Sequence, residues 1–220
     1  MDVLPASTPA TTASSEQLAG DIHPFTQAIG SPESLASLAA LADLVQSPPP
    51  DSLPSVHAFL ARYSDRLLVP VELPAIRDAY QFMVRGEFRE LISLDRQLSQ
   101  PFGTSALADA SRHLGRTQLR RLRPLRSRPL QRYIEAVESG QANGWHVVVY
   151  GILLALFSLP LRQGLSHFAL RSQEGLLEST LLGLKVTAPD RVRLRDTCAT
   201  RVLPAVQQTL PAGPLLVVSS

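Results

Sequence analysis

The chain has 220 residues, 45% of them apolar and only 18% charged, with a formal net charge of +2. This is ample apolar material for a buried core, and the shortage of charge points to apolar surface covered by a partner rather than by water. A single cysteine, Cys198, excludes an intramolecular disulfide and any cysteine-built zinc cluster, so a reducing, cytoplasmic compartment is expected.

From the N-terminus, Met1 to Gln17 has no arginine and no apolar stretch of signal-peptide length. Its Ser, Thr, Ala and Pro content predicts a disordered leader over residues 1–20. Ser31-Pro32-Glu33 has the form of a helix start, because proline at the first helical position forfeits no hydrogen bond. That helix runs through Leu35, Leu38, Leu41 and Leu44 to the Pro48-Pro49-Pro50 stop. A second helix fits Ser55 to Leu68, with Val56, Phe59, Leu60, Tyr63 and Leu67 on one face. Pro70 and Pro74 bracket the next connection. A helix through Ile76, Tyr80 and Met83 ends near Gly86, and another carries Phe88, Leu91, Ile92, Asp95 and Leu98 before Pro101.

Thr104 is placed to cap a helix that reaches Arg123 and breaks at Pro124. A further helix spans Pro129 to Ser139, and the loop Gln141 to Gly144 leads into an apolar helix from Trp145 to Ser158. The apolar run there, Val147 to Leu161, is fifteen residues and contains Gly151, Ser158 and Pro160. A membrane span needs about 18 to 20 residues, so this reads as a buried central helix. Pro160 opens a helix to about Leu182, and Pro189 starts the last long one, ending before Pro211. The expected fold is all-α: a single-domain bundle of about eight to ten short helices over residues 21–210, followed by an apolar tail over 211–220. His146 to Tyr150 and Leu215 to Val218 are β-branched enough for short strands, but each is too isolated to build a sheet.

Catalytic signatures are missing. There is no Walker-type glycine loop, so no P-loop nucleotide site is expected. His23, His57, His113, His146 and His167 show no helical metal spacing, so neither a metal nor a cofactor is expected. Gly164-Leu-Ser166-His167 lacks the second glycine of a nucleophile elbow. The pairs Glu87/Glu90 and Glu174/Glu178 fit solvated helix faces. The chain reads as a non-enzyme.

The charge anomaly lies between Arg112 and Arg132, where eight arginines occur with no acidic residue between Asp109 and Glu135. Arg112, Arg116 and Arg120 recur every four residues as one helical stripe. Such a stripe suits an acidic protein surface, nucleic-acid phosphates or an anionic membrane face. The segment has no aromatic residue before Tyr133, which removes the stacking platform of a single-strand binder. An ordinary solvated face is the bland alternative.

Leu94-Asp95, then Ser111-Arg-His-Leu-Gly115-Arg116 with Leu119 and Leu122, resembles the urease accessory protein F family. So does His146 followed by an apolar helix with internal Gly151 and a Leu159-Pro160 junction, with Leu182-Gly183 further on. The resemblance covers roughly Glu72 to Gln208. It departs near Asp21 to Leu35, where only Pro24 and Ser31 persist of the family's block, and after Gly183, where Val186-Thr187-Ala188 stands in place of Gly-Gln-Thr.

The resemblance implies a helical homodimer acting without a cofactor in the cytoplasm. It would link a D- or H-type accessory protein to a nickel-carrying GTPase, the G protein, on apo-urease. The residues expected to contact partners are Arg112, Arg116 and Arg120, the turn at Gly183 and Lys185, and the tail residues Leu215, Leu216, Val217 and Val218. The alternative reading is a helical nucleic-acid or anionic-surface binder using Arg112 to Arg132.

Overall fold

A computed structural model describes residues 32–182 and 184–210. Its elements in order are α1 (Pro32–Leu44), α2 (Leu53–Tyr63), a π-helical segment (Ser64–Glu72), α3 (Leu73–Arg85), α4 (Phe88–Gln97) and α5 (Ser99–Phe102). After these come α6 (Ala106–Leu122), α7 (Arg128–Glu138), α8 (His146–Leu156), α9 (Leu161–Thr180) and α10 (Ala188–Thr209). The described residues contain no strand, as an all-α reading requires, and His146 to Tyr150 is helix. None of the described helices is long and apolar enough to cross a membrane.

The bundle is organised around α8. Every residue from His146 to Leu154 is buried, so this helix is apolar on all sides and sits in the interior. Its closest neighbour is α3, and α6 packs on another side of it. The approach of α3 is set by Gly151, where a Cβ would fall 2.5 Å from the Ile76 carbonyl oxygen and 2.8 Å from the Ala79 Cβ. In the outer layers, α1 lies on α6, α9 pairs with α10, and α4 joins α3 to α7.

The chain crosses Pro70 and Pro74 differently from the sequence expectation. No loop intervenes, and α2, the π segment and α3 run on as one helical path. Proline cannot donate and crowds the carbonyl four residues back. The widened turn absorbs this, with the Leu73 N–H bonded to the Leu68 carbonyl five residues earlier. Pro74 follows directly, at the second residue of α3, so the widened stretch accommodates two prolines four residues apart within one helical path.

Smaller differences have local causes. Ser105 rather than Thr104 caps α6, its hydroxyl accepting from the Ala108 N–H at 3.3 Å. The chain passes Pro101 in the four-residue α5 before Gly103 turns it. On α1 the buried face is Ser34, Ser37, Leu38, Leu41 and Ala42, continued by Val45 just beyond the helix, and Leu35 faces outward. The expected leader, Ser31 and the tail 211–220 lie outside the described residues.

Candidate functional site

Between α7 and α8 the chain turns at Gly140 and Gly144, both with φ +77°. The tight connection leaves the N–H groups of Asn143, Gly144 and Trp145 without helical acceptors. Asp95 of α4 takes all three. Its Oδ1 accepts from Asn143, and its Oδ2 accepts from Gly144 at 3.0 Å and Trp145 at 3.3 Å. Oδ2 also accepts from the Tyr133 hydroxyl of α7 at 2.6 Å, and the Asp95 carbonyl accepts from the Trp145 indole at 2.8 Å. Burial, and then the adjacent Asp95 carboxylate, push the Tyr133 phenol well above its ordinary pKa, which keeps its proton in place as the donor. Trp145 stacks on Phe102, with ring centroids 5.1 Å apart.

The same loop is gripped from α6. A Cβ at Gly115 would lie 2.1 Å from the Gly144 carbonyl oxygen and 2.9 Å from the His146 nitrogen, so the helix touches loop backbone there. One turn earlier, the Ser111 hydroxyl lies 2.6 Å from His146 Nδ1. Burial lowers the His146 pKa to about 3, so the ring is neutral across the physiological range. A serine beside a histidine is the start of a nucleophile–base arrangement. Here Ser111 is 0% and His146 1% exposed, so substrate has no access and the pair acts as a clamp.

Outside this clamp, α6 and α7 enclose a cleft of about 680 Å³. Leu119, Ile134 and Val137 form its aliphatic floor, and Arg112, Arg116, Arg120 and Arg123 stand along it. Asp109 and Glu138 also border it. The predicted stripe is therefore brought together on one wall, but its members are not equivalent. Arg112 pairs with Asp109 at 2.5 Å and lies over the Trp145 ring at 5.3 Å. Arg116 donates from Nε to the Asn143 carbonyl at 3.0 Å, which ties it to the clamped loop. Arg120 donates to the Thr117 hydroxyl at 3.0 Å.

Lys185 is exposed in the segment joining α9 to α10. Gly183 and the tail residues Leu215, Leu216, Val217 and Val218 lie outside the described residues. Two features escaped the sequence. Asp95 is the hub of the loop rather than one side of a helix face, and the cleft has a second wall on α7. The signal for the first was three consecutive loop residues with no acceptor of their own. The second needed the α6–α7 packing.

The three sequence blocks around Asp95, Ser111 to Arg116, and His146 thus meet at one loop. The sequence model of the UreF family matches residues 52–181, more than half of the chain. The chain belongs to the UreF family. The match runs through α2 to α9 and takes in both the clamped loop and the cleft. No curated protein matches the chain. UreF proteins are accessory proteins of urease maturation, and α1 and α10 of this member lie outside the matched span.

Proposed function

We propose that this UreF protein is a non-catalytic scaffold, acting as a homodimer in the cytoplasm, that bridges a D/H-type accessory protein and the nickel-carrying GTPase on apo-urease. Family membership is the observation that carries this reading. The construction of the chain agrees with it. The Ser111–His146 pair is sealed, while the α6–α7 cleft is open, of docking size and lined by charged side chains. Nickel is cargo of the assembly in this reading, not a resident cofactor.

The partner contacts proposed are Arg112, Arg116 and Arg120, the Gly183–Lys185 turn, and Leu215 to Val218 of the tail. The aliphatic floor suits a protein segment better than a phosphate backbone, which has no apolar group to set against Leu119, Ile134 and Val137.

Co-expression with the D/H-type protein and the GTPase of the same organism tests the proposal. A stable ternary complex, weakened when residues 211–220 are removed and needed for nickel-dependent urease activation, is the expected outcome. A folded helical chain that associates with neither partner, and whose loss leaves urease activation intact, overturns it.

A further inference from the structure

The α6–α7 cleft combines an aliphatic floor with an uneven distribution of charge. Arg112 is already matched by Asp109, and Arg123 lies 3.4 Å from Glu138. Arg116 and Arg120 stand between these pairs, and neither makes an ion pair among the described residues. Two positive charges are thus concentrated at mid-cleft, with locally neutral pairs on either side. Both guanidinium groups are held through one nitrogen, Arg116 by the Asn143 carbonyl and Arg120 by the Thr117 hydroxyl. A guanidinium fixed in place before binding loses less side-chain entropy when it meets a carboxylate. Arg116 is also tied to the Asp95-anchored loop through Asn143, so the rigid part of the fold sets where its charge sits.

We propose that the cleft receives an acidic amphipathic segment of a partner protein, with carboxylates on Arg116 and Arg120 and an aliphatic side chain against Leu119, Ile134 and Val137. This rests on the scaffold reading and specifies the chemistry of one of its contacts. Charge complementarity selects the occupant. The mid-cleft pair asks for two anionic groups about one helical turn apart, and the floor asks for an apolar group between them. Asp109 and Glu138 neutralise Arg112 and Arg123 at the margins, which confines the unmatched positive charge, and so the acidic stretch it suits, to about one turn. Two forked donors at fixed spacing favour carboxylates presented by a folded segment over a mobile single phosphate.

The probe is a fluorescent helical peptide of glutamates and leucines arranged with acidic and apolar faces. Two comparisons accompany it: a peptide with serine in place of every leucine, and a single-stranded oligonucleotide of equal charge. The full chain is expected to bind the amphipathic peptide at least tenfold more tightly than either, with affinity falling as salt rises. Arg116→Glu with Arg120→Glu is expected to lower that affinity at least tenfold while far-UV circular dichroism and the melting midpoint stay unchanged. If the doubly reversed chain unfolds, Arg120→Gln alone, which leaves the Asn143 bond untouched, is the second variant. It is expected to cost about threefold.

Equal binding of the oligonucleotide overturns the proposal in favour of a general anion stripe. Failure of the amphipathic peptide to bind, or binding unaffected by the substitutions, overturns it outright. Co-purification with the urease accessory partners separates the two readings. Loss of the complex on charge reversal supports both, whereas a complex indifferent to Arg116 and Arg120 removes the cleft and leaves the scaffold standing.

Discussion

Asp95 and Glu72 are both buried carboxyl groups, 0% and 2% exposed, yet the fold surrounds them differently. Asp95 faces a loop rich in unpaired N–H groups and accepts from three of them and from the Tyr133 hydroxyl. Glu72, buried at the end of the π-helical segment, accepts from the Tyr63 hydroxyl at 2.5 Å. Burial raises its pKa to about 7, against a smaller downward pull from the Tyr63 bond. The contrast shows that burial alone does not fix what a carboxyl does. Asp95 organises backbone that has no other acceptor, whereas Glu72 is a proton-linked group inside a helix.

The sharpest way to break this comparison is Asp95→Ala. It strips the acceptor from Tyr133 and from the Asn143, Gly144 and Trp145 N–H groups, and each buried orphan costs about 1 to 3 kcal/mol. A loss of about 4 kcal/mol or more is expected in denaturant unfolding, together with rapid hydrogen exchange at residues 143–145.

Gly115→Ala attacks the same loop from α6. Its Cβ would strike backbone rather than a yielding side chain, so a loss of about 3 kcal/mol is expected. If the midpoint moves by less than a degree, α6 does not clamp the loop.

Glu72→Gln sharpens the other side. Because its folded pKa is raised, the contribution of Glu72 is fully present below about 4.5 and is lost as pH rises to about 7. The glutamine variant should lack that decline, a difference of about 2 kcal/mol between pH 4.5 and 7. What remains is the slope set by His146, whose depressed folded pKa gives the opposite sign. Its contribution is present above about 6.5 and is lost as pH falls toward 3. Stability curves measured at half-unit pH steps on both proteins separate the two.

The smallest effect is expected at Ser111→Ala. It removes the bond to the imidazole and the longer one accepted from the His146 backbone N–H, a loss of about 1 to 2 kcal/mol. Partner binding should be unchanged if the Ser111–His146 pair is only a clamp.

Much of this architecture was legible without coordinates. Gly86, Gly140 and the proline junctions marked helix ends, and the unbroken apolar run after His146 marked the central helix. The arginine stripe followed from a period of four. The path through Pro70 was not legible, because a proline in a helix and a proline in a loop look alike until neighbouring packing shows whether the turn can widen. The hub at Asp95 was hidden because its donors lie 38 to 50 residues away in sequence.

The sequence by itself determined the all-helical class, the family and the basic face, since these depend on local periodicity and residue type. Only the tertiary structure decided that Arg116 is held by the Asn143 carbonyl and that Arg123 meets Glu138, because those partners come from the α7–α8 loop and from α7. Likewise, only packing made Ser111 and His146 a sealed clamp. Whether such a pair is chemistry or structure depends on access to solvent, and that is a property of the assembled core.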